Sequence, residues 1–283
     1  MSSPVAVVTD STAYLPLQEA TRLGITVVPL QVVIGGRAYD EMAQADRAEL
    51  HRAFRERSPI TTSRPAPRRF TDAYAAAAAA GARAVVSVHL SGEMSGTVEA
   101  ARAGADDAPI PVEVIDSGSV AMGLAFPVLA AAEAAAHGGD RAAVAGAARR
   151  RMTATRTFFY LDTLEYLRRG GRIGTAASWL GSALAIKPLL HIDGGVIAPL
   201  EKVRTSTRAI ARLEDLAVQA AGTGPVEVAV QHISSPSRAE ALAERLARRL
   251  PEAVRVMAVE VGAVIGAHSG PGMLGVTVSP VPA

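Results

Sequence analysis

ARAVVSVHLSGEMSGTVEAARAGA, residues 82–105, sets the fold class. Its first eight residues are rich in valine and alanine, and read as a strand. A loop with two Ser-Gly steps follows, then an alanine-rich helix from about Ser95 to Ala105. Strand, glycine loop and helix in succession form the repeating step of a parallel α/β sheet. Such a loop opens a helix where free N–H groups and the positive dipole end favour an anion. Ser91, Ser95 and Thr97 add hydroxyl donors. The anion could be a phosphate, a nucleotide or an acyl group carried on a serine. The GK[ST] ending of a phosphate-binding P-loop is missing, and so is the G-x-S-x-G of a nucleophile elbow. The plain structural alternative makes Ser95 a helix cap and the glycines turn residues.

The same step repeats through the first half. PVAVVTD (4–10) reads as a strand and ITVVPLQVVI (25–34) as β-rich, broken at Pro29. Helices are expected over 45–56, with a capping box from Asp46 to Glu49, over 67–81 with Pro67 at its start, and over 118–137 and 140–154, the last capped by Asp140. PVEVID (111–116) is another strand. The second half differs. IKPLLHIDGGVIAPLEKVRT (186–205) is two strand-like runs around DGG, a hairpin signal. TFFYL before it is a strand, and DTLEYLRRGG (162–171) a helix with Asp162 and Glu165 as capping box. Helix, strand, helix capped near Ser237, and strand follow over 206–261. The expectation is α/β with two domains: a doubly wound, mainly parallel, Rossmann-like domain over 1–152, and an α/β domain with a partly antiparallel sheet over 153–283.

Composition narrows the function. Of 283 residues 49% are apolar but only 4% aromatic, so the core must be aliphatic. Net charge is +2, which gives no footprint for nucleic acid. Cysteine is absent, which removes disulfides, thiolate catalysis and Cys-zinc sites and fits a reducing compartment. The start reads as no signal peptide. The longest uncharged run, 261–283, holds five Gly and three Pro and is a poor membrane span. A soluble, cytoplasmic protein is expected. The six histidines show no metal-ligand spacing.

GPGMLG (270–275) matches G-x-G-x-x-G, but Pro271 sits inside it and a β-like run follows, so dinucleotide binding is rejected. His268, just before it in a small-residue loop, could donate to a buried carboxylate or make one structural hydrogen bond. TTSRP (61–65) reads as an extended loop showing hydroxyls ahead of Pro65. Asp10 and Ser11 end the first strand, where ligands sit in open α/β sheets, though Asp10 could simply cap the next segment. The only lysines, Lys187 and Lys202, lie opposite each other if the hairpin turns on Gly194-Gly195, an unfavourable pairing. Arginines at 149–151, 156, 168, 169 and 172 make the domain junction basic. No base, nucleophile or metal set assembles, a profile that favours binding an anion over reaction.

VTDSTAYLP, VVPLQVVIGGRAYDE, TTSRP, HLSGEMSGTVEAA, IDSGSVAMG, LEYLRRGGRIG, the 186–205 hairpin and HSGPGMLGV, in this order, resemble the DegV family along essentially the whole chain. The resemblance implies a two-domain α/β protein with a long-chain fatty acid in a tunnel between the domains. In members that are fatty-acid kinase B subunits the acid is presented to a separate kinase subunit, which phosphorylates it with ATP to an acyl phosphate for phospholipid metabolism. It implies a non-enzymatic carrier with no cofactor beyond the bound acid and at most transient membrane contact. The family's carboxylate-binding positions map onto Thr62 and Ser63, onto Ser95, Gly96 and Thr97, and onto His268, with Arg172 and Arg204 near the head group. A carboxylate buried there needs hydroxyl and N–H donors, with an imidazolium as a further option. Arg64 stands where the family commonly has glutamine, and Gly92-Glu93 where it commonly has Ser-Gly. The alternative is a stand-alone hydrolase or phosphate-handling enzyme using Ser95.

Overall fold

The computed structural model describes residues 4–41, 45–56, 58–179 and 186–281. In chain order the strands are β1 (Val5–Asp10), β2 (Ile25–Val28), β3 (Gln31–Ile34), β4 (Arg37–Asp40), β5 (Ile60–Ser63), β6 (Ala84–His89), β7 (Val112–Asp116), β8 (Arg156–Tyr160), β9 (Lys187–Asp193), β10 (Val196–Val203), β11 (Val226–His232), β12 (Ala253–Glu260) and β13 (Leu274–Pro280). The helices are α1 (Leu17–Arg22), α2 (Ala45–Glu56), α3 (Pro67–Ala79), α4 (Thr97–Ala105), α5 (Met122–Ala136), α6 (Arg141–Ala154), α7 (Glu165–Arg169), α8 (Ser206–Ala221), α9 (Pro236–Arg249) and α10 (Ala263–Ser269).

The chain divides into two compact units. The first takes Met1–Gln31, Asp40–Met42 and Ser63–Thr153. Its sheet runs β2-β1-β6-β7, parallel throughout, as the β-α alternation predicts. Val8, Val28 and Val85 pack on one face against Phe70 and Tyr74 of α3 and Ala100 and Ala101 of α4. Residues 122–129 of α5 are buried on all sides, Pro127 included, which explains the unbroken apolar sequence of that stretch. Asp140 caps α6 by accepting from the Ala143 N–H at 2.8 Å.

The second unit takes Val32–Tyr39, Ala43–Thr62 and Ala154–Ala283. Two stretches of the N-terminal half thus group with the C-terminal half. Aromatic packing shows why: Phe54 of α2 meets Tyr166 of α7 edge to face at 5.9 Å. The large sheet runs β10-β9-β8-β13-β11-β12, antiparallel except for β11 with β12. Its core face carries Leu189, Val228, Val230, Leu274, Val276 and Val278 against Leu213 of α8 and Leu242 and Leu246 of α9. A small sheet orders β4-β3-β5, so the hydroxyl-bearing TTS stretch is a strand rather than the expected loop.

The capping box expected from Asp46 to Glu49 falls on side chains outside the described residues. The box expected at Asp162 and Glu165 does not form. α7 is only five residues long, because the Asp162 carboxylate is taken by Lys187 at 2.7 Å and by the Tyr160 hydroxyl, while Glu165 clamps Arg168 and Arg169. α9 starts at Pro236, with Ser235 and not Ser237 at its cap position. Among the described residues no helix is long and apolar enough to cross a membrane.

Candidate functional site

In the first unit, β1 and β6 are neighbours and their carboxyl ends carry the loops 11–14 and 90–96. Asp10 closes β1 fully buried. One carboxylate oxygen accepts from the Thr12 N–H at 3.0 Å, the other from the Leu90 N–H at 3.0 Å and sits 3.1 Å from His89 Nδ1. His89 Nε2 reaches Ser87 Oγ at 2.7 Å, and Ser87 reaches the Tyr74 hydroxyl at 2.9 Å. A Ser/His/Asp series therefore exists, although the sequence does not assemble one. All four side chains are fully buried, so the series is a structural strut under the loop and not a hydrolytic centre. Burial pushes the Tyr74 phenol up to about 12. Asp10 is a cap, the plainer of the two roles its sequence allows.

The SGEMSG loop is largely closed on itself. Gly92 N–H donates to Asp116 at 3.1 Å, Glu93 N–H to Ser91 Oγ at 3.2 Å, and the Met94 and Ser95 N–H groups to Ser91 O at 3.0 and 3.1 Å. The N–H groups of residues 92–95 in the expected anion loop are thus already taken, one by the Asp116 carboxylate and three by Ser91. A side chain at 92 would meet Asp116 Oδ2 at 2.8 Å and would force that carboxylate to shift. What remains available is the Ser95–Gly96–Thr97 end. Ser95 is not the cap of α4, a position held by Gly96. Ser95 Oγ pairs with Thr97 Oγ1 at 2.9 Å. Among the described residues no imidazole or carboxylate bonds to Ser95, so nothing activates it as a nucleophile. Arg64 Nη1 donates to Gly96 O at 3.3 Å, and Ser63 Oγ to Gln31 Oε1 at 3.4 Å. Glu93 is exposed.

In the second unit, Thr62 on β5 and His268 on α10 meet: Thr62 Oγ1 and His268 Nε2 lie 2.9 Å apart. His268 is in the last turn of a short helix, not in a loop as expected. Sequence reasoning missed α10 because its run of small residues carries no helical period. GPGMLG follows that helix and opens β13, the reverse of a dinucleotide fingerprint. Burial, and then the Arg172 guanidinium, push the His268 imidazole down to about 4. It is neutral near pH 7. Arg172 Nη1 donates to Gly170 O at 2.6 Å. Arg204 is exposed beyond β10. A cleft of about 140 Å³ bounded by Arg37, Tyr39, Arg52 and Glu56 contains none of the expected site residues. Among the described residues no group of three His, Cys, Asp or Glu could hold a metal ion.

The DegV family model matches residues 4–281. The chain belongs to the DegV family. A DegV domain-containing protein of Streptomyces coelicolor is 54% identical over 279 residues, covering 99% of each chain. The protein DegV of Bacillus subtilis is 35% identical, covering 96% of this chain and 98% of its own. Among solved structures, a DegV family protein from Thermus thermophilus described by its fatty-acid binding has a TM-score of 0.92 at 32% identity, covering 98% of this chain and 99% of its own. DegV of Bacillus subtilis, described as a fatty acid binding protein, has a TM-score of 0.91 at 33% identity, covering 99% and 100%. The α/β architecture, with one parallel and one mixed sheet, is thus that of fatty-acid-binding DegV structures.

Proposed function

We propose that this chain is a carrier of a long-chain fatty acid. Thr62, Ser63, Ser95, Gly96, Thr97 and His268 make up the carboxylate site, Arg172 and Arg204 stand near the head group, and an ATP-dependent partner kinase in the cytoplasm converts the acid to its acyl phosphate. The observation that carries this reading is the Thr62–His268 hydrogen bond, which joins two of these motifs across 206 residues. The description of DegV relatives as fatty-acid-binding supports it. So does the unactivated state of Ser95. Burying about fifteen methylenes is worth roughly 12 kcal/mol gross at about 0.8 kcal/mol each. Association and chain ordering take back several kcal/mol or more. The bare carboxylate would not be buried without donors, which Thr62 and Ser95 provide.

Native mass spectrometry of the purified protein is expected to show an adduct of fatty-acid mass. No adduct, together with no heat of binding for stearate, would overturn the carrier reading. Acyl phosphate should form only when the loaded chain, ATP and the partner kinase are all present. Formation by the isolated chain would make it an enzyme instead.

A further inference from the structure

Two glycines end α7, for different reasons. Gly171 has φ +70, and nothing lies within 4 Å of where its side chain would be, so its left-handed backbone alone favours glycine. Gly170 has φ −77 and ψ −7, a conformation open to any residue. A methyl group at 170 would collide with Nδ1 and Cε1 of His268. The backbone does not ask for glycine at 170; the imidazole does.

The Nδ1 atom enclosed in this way is buried and has no hydrogen-bond partner among the described residues. The other ring nitrogen faces Thr62 Oγ1 at 2.9 Å. A neutral imidazole carries one proton. On Nδ1 it would be a buried N–H with nothing to donate to, a rarer and costlier orphan than a lone pair. On Nε2 it is donated to Thr62 Oγ1. The choice decides what Thr62 can do. A hydroxyl that accepts from the imidazole keeps its own proton for a third group, while one that donates to Nε2 has none left.

We propose that Gly170 is a positioning residue that holds His268 in its Nε2–H tautomer, so that His268 donates to Thr62, and Thr62 rather than His268 gives the hydrogen bond to the ligand carboxylate. Only the last step rests on the carrier reading. The depressed imidazole pKa, about 4, keeps the ring neutral across the working range. The Arg172 to Gly170 O hydrogen bond fastens the same turn.

Long-range proton–nitrogen NMR of the ligand-free full chain, labelled at histidine, tests the tautomer, with His268 assigned by the signal lost in His268→Gln. The Nε2–H pattern is expected, unchanged from pH 8 to about pH 5. An Nδ1–H pattern, or titration near the ordinary 6.5, overturns the proposal. In Gly170→Ala the displaced ring should lose the single-tautomer pattern; an unchanged spectrum from a folded variant also overturns it. With stearate as probe, Thr62→Val should weaken binding about tenfold or more. His268→Gln, whose amide can still donate to Thr62, should recover most of the affinity lost in His268→Ala. Equal losses in the two His268 variants count against the proposal. If the wild-type chain binds no stearate while the Nε2–H pattern is present, the carrier reading fails and the tautomer assignment stands.

Discussion

His268 and Asp10 bound what residue-level reading could reach. His268 was legible as a site residue because its motif is local, but its partner was not, since Thr62 stands 206 positions away. Asp10 and His89 each end a strand-like run, so both were visible at strand ends. Their hydrogen bond depends on β1 and β6 being neighbours, which the pairing of Val8 with Ser87 establishes and no single strand encodes. Tyr74→Phe removes the last hydroxyl of the Asp10–His89–Ser87–Tyr74 series and should destabilise by roughly 1 kcal/mol. Stearate affinity should be unchanged, which chemical denaturation and calorimetry check together. A second outcome at this scale concerns pH. The folded-state value of His268, about 4, lies below the ordinary 6.5. Between these values the unfolded chain takes up a proton that the folded chain refuses. The contribution of His268 to stability is therefore complete above about pH 6.5 and falls as pH drops towards 4, by up to about 3 kcal/mol. Denaturation midpoints compared between wild type and His268→Gln at pH 7.5 and 4.5 should show the wild type losing more.

Elements were read well where period and punctuation agreed, and misread where a charge had a better partner. α8 runs over Ser206–Ala221 as its amphipathic period predicts, and Thr205 caps it by accepting from the Arg208 N–H at 3.3 Å. Thr205→Ala should cost about 1 kcal/mol and Thr205→Ser much less, read from urea midpoints. α7 failed as a ten-residue helix because the Asp162–Lys187 pair outcompeted a backbone cap. The hairpin does turn on Gly194-Gly195, with Asp193 opposite Val196. The two lysines nevertheless escape each other. A bulge between Pro199 and Glu201 shifts the register, so Lys202 pairs with Pro188 and Lys187 with Val203. Lys187 then reaches Asp162, and Lys202 lies over the Trp179 ring at 5.0 Å. The bulge sits beside a proline on an edge strand, where a ladder donor is missing anyway.

At the scale of the molecule, strand–helix alternation and one hairpin signal were enough for an α/β chain with one parallel and one mixed sheet. They could not show that Val32–Tyr39 and Ala43–Thr62 join the second unit. That grouping depends on contacts such as Phe54 on Tyr166, between residues more than a hundred positions apart. A ligand that binds only the folded chain stabilises it by mass action, by about 2.7 kcal/mol at a hundred times Kd. Stearate should therefore raise the melting temperature by several degrees, and acetate at equal concentration should not.

The bulge also gives the hairpin slack. Leu200 is one residue more than the ladder needs. A chain shortened by one residue anywhere from 196 to 200 can absorb the loss by straightening β10, with the pairs beyond Glu201 unchanged. A second deletion has no such reserve, and would slide the far end by one position and turn each of its side chains to the opposite face. Length variation in this arm is thus expected to stop at a single residue.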